Sequence, residues 1–364
     1  MFEKLKLQNA PESVISSLKS LSEKYSITKY LDKGSNGYLF FGENSILNRK
    51  IAIKYYYWGG DKQYHAEPEF LAKFSNENIL KIHHAEAVCD EWSYFISDYC
   101  KHGDLDDYCI SKSKLSVKTS LRFINDILNG LSYLHSKSLI HRDLKPQNIL
   151  INDKKQPVIG DFGSVKRFNN NKSVSDCSGH SIIYRPPESF SLKLHTMQSD
   201  IYQVGIVLYQ LIGGKLSYNQ DDYLNGTQKI EYEKLTDECD KSLYVDGVLS
   251  KLITKGKLLD FDSIPCWVSP KIVSIIKKAT NINPSKRYNN CSSMMNDINK
   301  IKDKINDWSV EGEALMLKKD KSYRITKDKT GFYFVEKKKH SDWRIDNGFG
   351  KSKNIEEIVK KFKV

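Results

Sequence analysis

Residues 141–148 read HRDLKPQN, and a short strand pair later a DFG triplet stands at 161–163. Two aspartates, a lysine and an asparagine thus fall within one short span of chain. Asp143 is placed to accept or orient the proton of an attacking hydroxyl, and Lys145, two residues on, can reach the oxygens of a group in transfer. Asn148 and Asp161 offer the oxygen ligands that hard Mg²⁺ prefers, with substrate phosphates completing its shell. Such a set suits phosphoryl transfer, which needs a positioned hydroxyl and neutralised phosphate charge more than covalent help.

Outward from this loop, the sequence changes character twice. Residues 26–60, ITKYLDKGSNGYLFFG followed by KIAIKYYYW, read as strand, glycine turn, strand and strand, because apolar residues alternate and β-branched and aromatic types are enriched. From about 63 to 75 the spacing turns helical, with Phe70, Leu71 and Phe74 on one face, and further strands end in SYFISDYC. Beyond about 118, Leu121, Ile124, Leu128 and Leu131 recur every three or four residues, the stripe of a helix packed on a core. DIYQVGIVLYQLI at 200–212 is apolar nearly all round, which predicts a buried helix. The charged stretch from about 217 to 255 reads as a surface insertion. From about 309, two or three strands (SYRITKD and GFYFVEKK among them) precede a last helix with Ile355, Ile358, Val359 and Phe362 on one face.

Bulk composition narrows the function classes. The chain has 364 residues, 39% hydrophobic and 28% charged, enough for two packed lobes and a small extra module. No run of apolar residues is long enough to span a membrane, and the charged N-terminus MFEKLKLQNAPESV predicts no secretory signal. Seven cysteines without a CxxC pair suggest neither a zinc site nor a disulfide framework, and fit a cytoplasmic protein, one delivered into another cell included. The net charge of +12 invites a nucleic-acid reading. Much of the excess, however, is lysine in runs such as 337–339, without interleaved aromatics, so nucleic acid is not expected as a partner.

With those motifs in order, the chain resembles the eukaryotic-type (Hanks-type) Ser/Thr protein kinases over residues 26–308. The resemblance implies an α+β, two-lobed fold: a small antiparallel β lobe with one helix at 26–100 and a mainly helical lobe at 101–308. Residues 1–25 form an N-terminal helical extension, and 309–364 a small basic α+β module outside the resemblance. LDKGSNGYLF resembles the glycine-rich loop over ATP, with Leu31, Gly34, Ser35, Gly37 and Leu39 at the nucleotide. Here Asp32 replaces the first glycine and Asn36 the tip aromatic. Lys54 in AIK matches the lysine that pairs with the α- and β-phosphates, and its helix partner is Glu67, preferred over Glu69 on the spacing to Leu71 and NIL at 78–80. Asp98 and Cys100 match the hinge backbone at adenine, Asp104 the ribose contact, Ala52 and Leu150 the residues sandwiching the base, and Ser97 a small gatekeeper.

The same resemblance gives Glu188 of YRPPE a buried ion pair with Arg287, and has Asp200 bonding the loop backbone at His141 and Arg142. Lys145 and Ser181 favour serine or threonine acceptors. Arg142 implies a phosphate on the activation segment, with Ser173, Ser175 and Ser178 as candidates, so the enzyme is expected to act on protein substrates and on itself. The terminal module, with fifteen Lys and Arg against nine Asp and Glu, is a candidate docking site for a protein partner. Three rivals remain: a pseudokinase or nucleotide-binding scaffold, a small-molecule kinase, and nucleic-acid binding by the terminal module. Every charged catalytic position being filled weighs against the first. The P-P-E segment after DFG, suited to a polypeptide acceptor, weighs against the second.

Overall fold

In the computed structural model, residues 10–31, 37–59, 72–111, 115–168, 173–174 and 181–362 are described. The chain is α+β and divides into two compact units, Met1–Leu105 with Gln147–Val165, and Asp106–Pro146 with Lys166–Val364.

The first unit is built on an antiparallel sheet of β1 (Ser26–Leu31), β2 (Gly37–Asn44), β3 (Arg49–Tyr57), β4 (Ile82–Ala87) and β5 (Trp92–Asp98), in the order β1-β2-β3-β5-β4. Side-chain alternation on β3 sorts its residues onto two faces. Ile51, Ile53 and Tyr55 join Ile27, Phe40, Tyr94 and Ile96 in one apolar cluster, and Ala52 and Lys54 lie on the other face. The helix Glu12–Ser22 covers the apolar face, because Val14, Leu18 and Leu21 recur at helical spacing and insert into that cluster. Its Ser17 Oγ lies 3.0 Å from the Tyr55 hydroxyl, and burial pushes the Tyr55 phenol up to about 12. The N-terminal helix is therefore part of the core behind the lysine strand. Leu18→Ala is expected to lower the unfolding free energy by about 2–5 kcal/mol, read as a reduced urea midpoint at unchanged slope. A midpoint equal to the parent's would show a helix that merely rests on the sheet. The same unit contains the hairpin β7 (Ile149–Ile151) and β8 (Pro157–Ile159), tied down by Ile159 N–H donating to Asn78 O at 2.8 Å and Leu80 N–H to Ile159 O at 2.9 Å. The helix expected at 63–75 lies mostly outside the described residues.

In the second unit the helix Val117–Ser136 buries Leu121, Ile124, Leu128 and Leu131 as its spacing predicts, and its N-cap Ser116 accepts from Thr119 N–H. The helix Met197–Leu211 is buried along almost its whole length. It passes so close to the helix Pro270–Ala279 that a Cβ at Gly205 would come within 2.8 Å of Ala279 and Thr280 side-chain atoms. Two-stranded pairs β6 (Leu139–Ile140) with β9 (Lys166–Arg167), and β10 (Ser173–Val174) with β11 (Leu194–His195), complete the loops.

Two sequence expectations need correction. The stretch 217–255 is no plain insertion. It contains the helices Gly226–Glu233 and Glu238–Thr254, and the second packs on the helix Pro187–Ser191 through an apolar stripe of Val245, Val248, Leu249 and Ile253. The terminal module holds more than two or three strands. A sheet of β12 (Asp307–Glu311), β13 (Ala314–Lys318), β14 (Ser322–Lys327), β15 (Tyr333–Lys339) and β16 (Asp342–Ile345) runs in sequence order, with β17 (Lys351–Ser352) also on β15, before the helix Ile355–Lys360. Trp308, Leu317, Tyr323 and Phe362 close its core, and the Asp307 carboxylate accepts from Lys118 N–H at 2.9 Å in the first turn of the long helix. A carboxylate there suits the positive end of the helix dipole.

Candidate active site

Strand register brings the sequence-predicted site residues of the first unit's sheet onto one face. Leu31 lies opposite Leu39, Leu39 opposite Lys54, and Lys54 opposite Phe95, so these residues share one face with Ala52 and the buried Ser97. Lys54 Nζ stands 5.6 Å from the centre of the Phe95 ring and 3.7 Å from Asp161 Oδ1. Two residues far apart in sequence thus meet. At Gly37 an added Cβ would sit 2.0 Å from the Tyr55 carbonyl oxygen, so only glycine allows β2 to approach β3 there. Gly34, Ser35 and Glu67, like Asp32 and Asn36, lie outside the described residues.

Asp161 has a left-handed backbone, φ 55° and ψ 75°, a conformation that costs a non-glycine residue about 1 kcal/mol or more and persists only where neighbours impose it. The neighbours are visible. Gly160 N–H donates to Asn148 O at 2.9 Å, and the fully buried Phe162 packs on the Phe74 ring with centroids 5.8 Å apart. The Asp161 carboxylate remains about half exposed, and Asn148, which precedes β7 as Asp161 follows β8, is buried.

At the hinge, Asp98 ends β5 with its carboxylate between two basic side chains: Arg49 Nη2 at 2.6 Å and His83 Nε2 at 2.8 Å. His83 sits at a register shift between β4 and β5, an irregularity of the kind that re-aims a side chain. The His83 hydrogen bond, joined by that from Arg49, holds the Asp98 carboxyl below its ordinary value against the effect of burial. Burial, then the charges of Asp98 and Asp153, push the Cys100 thiol up to about 12, which keeps it protonated and unreactive. Asp104 forms a β-bridge with Leu150, and Ile151 N–H donates to Gly103 O at 2.8 Å, so the chain after the hinge is pinned to β7.

Residues 141–146 of the HRDLKPQN loop belong to the second unit. Lys145 Nζ donates to Asp143 Oδ2 at 2.8 Å, and both side chains are largely buried. The loop backbone is held from the buried helix. Asp200 accepts from His141 N–H at 2.9 Å and from Arg142 N–H at 2.8 Å, and its carboxylate also meets His135 Nε2 at 2.8 Å. Burial would raise the Asp200 pKa, but these donors outweigh it and keep the group ionised. Three residues on, Gln203 donates from Nε2 to Arg142 O at 2.9 Å and accepts at Oε1 from Leu144 N–H at 3.0 Å. Spacing of three puts Asp200 and Gln203 on one helix face, and together they fix the backbone on either side of Asp143. Sequence reading missed Gln203, as it missed the Arg49 and His83 clamp. A polar residue within an otherwise apolar, buried helix was the available signal for Gln203.

Comparison with known proteins agrees with this geometry. The protein kinase domain family matches residues 25–298. The serine/threonine-protein kinase atg1 of Dictyostelium discoideum is 34% identical over 189 residues, 49% of this chain and 28% of that protein. The maternal embryonic leucine zipper kinase of Danio rerio is 26% identical over 280 residues, 75% of this chain and 37% of that protein. The 3-phosphoinositide-dependent protein kinase B of Dictyostelium discoideum is 30% identical over 260 residues, covering 65% and 28%. The chain thus spans well under half the length of these relatives. Among the described residues no helix is long and apolar enough to cross a membrane. With a lysine strand, an HRD loop and a DFG turn on the matched stretch, the chain belongs to the protein kinase domain family.

Proposed function

We propose that the chain is a protein serine/threonine kinase that transfers the γ-phosphoryl group of ATP to hydroxyls of protein substrates and of its own activation segment. The observation that carries this reading is the Lys54–Asp161 approach, 3.7 Å between a strand lysine and the DFG aspartate. A lysine and a carboxylate held within reach but part-exposed can exchange each other for a phosphate and a cation. The donor set of Asn148 amide oxygen and Asp161 carboxylate suits Mg²⁺, a hard ion that prefers oxygen ligands and keeps sites for substrate phosphates. When bound there, Mg²⁺ supplies neutralisation of phosphate charge.

The residues' own work follows. Lys54 binds phosphate oxygens, and the Leu31, Leu39 and Ala52 face with Leu150 encloses the base at the Asp98 and Cys100 hinge, with Asp104 at the ribose. Asp143 orients the acceptor hydroxyl and takes its proton as the oxygen–phosphorus bond forms and ADP departs. Lys145, at 2.8 Å from Asp143, sets its ammonium against the negative charge of the transferred group. Glu67 completes the Lys54 site. We place the protein in the cytoplasm, where its six described cysteines stay thiols. Incubation with γ-labelled ATP, Mg²⁺ and a mixed protein substrate is expected to yield phosphoserine and phosphothreonine. Chelation of the metal should abolish transfer, and peptide mapping should find label at Ser173, Ser175 or Ser178. Absence of transfer, or label on tyrosine alone, rejects the proposal.

A further inference from the structure

The terminal sheet treats its cations in two ways. Where a cation serves the module itself, a carboxylate is supplied: Arg324 Nε meets Glu336 at 2.6 Å, and Lys351 Nζ meets Asp328 at 2.9 Å. Along the β15–β16 hairpin it is not. A groove of about 590 Å³ is lined by Lys321, Lys337, Lys338, Lys339, His340 and Arg344, with Asp346 the one carboxylate in its wall. Among the described residues none of the four lysines or Arg344 is ion-paired. Lys337 stands directly opposite Arg344 across the hairpin. Like charges at such a cross-strand position destabilise a sheet, and among the described residues no carboxylate forms an ion pair with either side chain. An external anion would offset that cost.

We propose that this groove docks a carboxylate-rich segment of a protein substrate or partner, laid as an extended strand along β16. Three observations select that occupant. First, β16 is an edge strand, paired only with β15 among the described residues, so its outer backbone groups are available to a peptide. Second, the groove wall carries no aromatic ring. Trp343 is not among its lining residues: it lies directly opposite Lys338, and its ring is engaged by the protein's own cations, the Arg324 guanidinium at 4.7 Å and the Lys338 ammonium at 5.9 Å. Single-stranded nucleic acid binding relies on such rings, so bases would find no platform in the groove. Third, four of its five strong cations are lysines, point charges that serve carboxylates, and only one is the fork-shaped arginine that phosphate recognition favours. The inference rests on the reading that the enzyme acts on proteins, but its test does not require activity.

The test is fluorescence anisotropy of a labelled Asp/Glu-rich peptide added to the full chain without ATP. The peptide is expected to bind saturably, with affinity falling as salt rises. K337E/K339E/R344E should weaken binding by about tenfold or more, with smaller graded losses for K337Q and R344Q alone. Trp343→Ala, which removes a ring outside the groove lining and no charge, should bind nearly as the parent does. Circular dichroism checks that each variant is folded, and the single neutralising variants decide the matter if the triple variant is not. No saturable binding, equal binding by the charge variants, or stronger binding of the serine-phosphorylated peptide or of an oligonucleotide overturns the proposal. An Asp143→Asn chain that binds the peptide as the parent does while its phosphate transfer falls would separate docking from catalysis.

Discussion

Asp143→Asn is expected to lower kcat by about 10²–10⁴-fold, the range for losing a positioned general base. The KM for nucleotide should stay near its parent value. Asparagine keeps the size of the side chain and can still accept from Lys145, so the loop should hold its form. The backbone around the position is fixed independently by Asp200 and Gln203. What is lost is the negative charge that orients the hydroxyl, takes its proton and faces the Lys145 ammonium at 2.8 Å. Steady-state kinetics with saturating protein substrate measure the effect, and thermal melting confirms that the variant is folded. A variant that turns over as fast as the parent would reduce Asp143 to the partner of a structural ion pair. The proton of the acceptor hydroxyl would then have to leave through another group.

The parts of this site that were legible in the sequence are those whose residues are neighbours in the chain. HRDLKPQN presents Asp143, Lys145 and Asn148 on one loop, so their chemistry can be read without knowing the fold. Strands β1 to β3 were legible as strands because β-branched and aromatic residues are enriched along ITKYL and KIAIKYYY. Their faces were not, since β1 carries a register shift after Ile27 and β3 is buried almost continuously from Ile51 to Tyr56. The Asp98 clamp was not. Arg49, His83 and Asp98 come from three strands, and the register shift that delivers His83 leaves no local mark. The helix Glu238–Thr254 was hidden by its composition: charged residues surround Val245, Val248, Leu249 and Ile253, and a stripe that packs on short helices and turns needs few apolar positions. In the terminal module, ALMLK is too short an apolar run to assign by period alone, and its strand character comes from pairing with β12 and β14.

Arg287→Ala is expected to cost about 3–5 kcal/mol of stability at neutral pH, the cost of stranding a buried charge. The Glu188 carboxylate is almost wholly buried and takes both arms of the guanidinium, Nη1 at 2.8 Å and Nη2 at 2.7 Å, with Ser199 Oγ donating at 2.6 Å. Arg287 also donates to Asn281 O at 2.7 Å and Gln198 O at 3.0 Å and stacks on the Tyr202 ring at 4.8 Å, so its loss leaves further acceptors without a donor. Burial alone would raise the Glu188 pKa, but the hydrogen bonds and charge of Arg287, with the Ser199 hydroxyl, bring it below the ordinary glutamate value. A carboxyl whose folded pKa is depressed contributes stability that is fully present above its unfolded pKa of about 4.3 and is lost as pH falls through the folded value. Removing the guanidinium reverses the sign, since burial then acts unopposed and the folded pKa rises above the unfolded one. The variant should therefore recover part of its deficit on acidification through the upper value, over the range in which the parent holds steady. Urea unfolding of both proteins across that range measures the difference. A deficit below about 1 kcal/mol, the level of an exposed pair, would show that solvent reaches the Glu188–Arg287 bridge, and so would a deficit that does not change with pH.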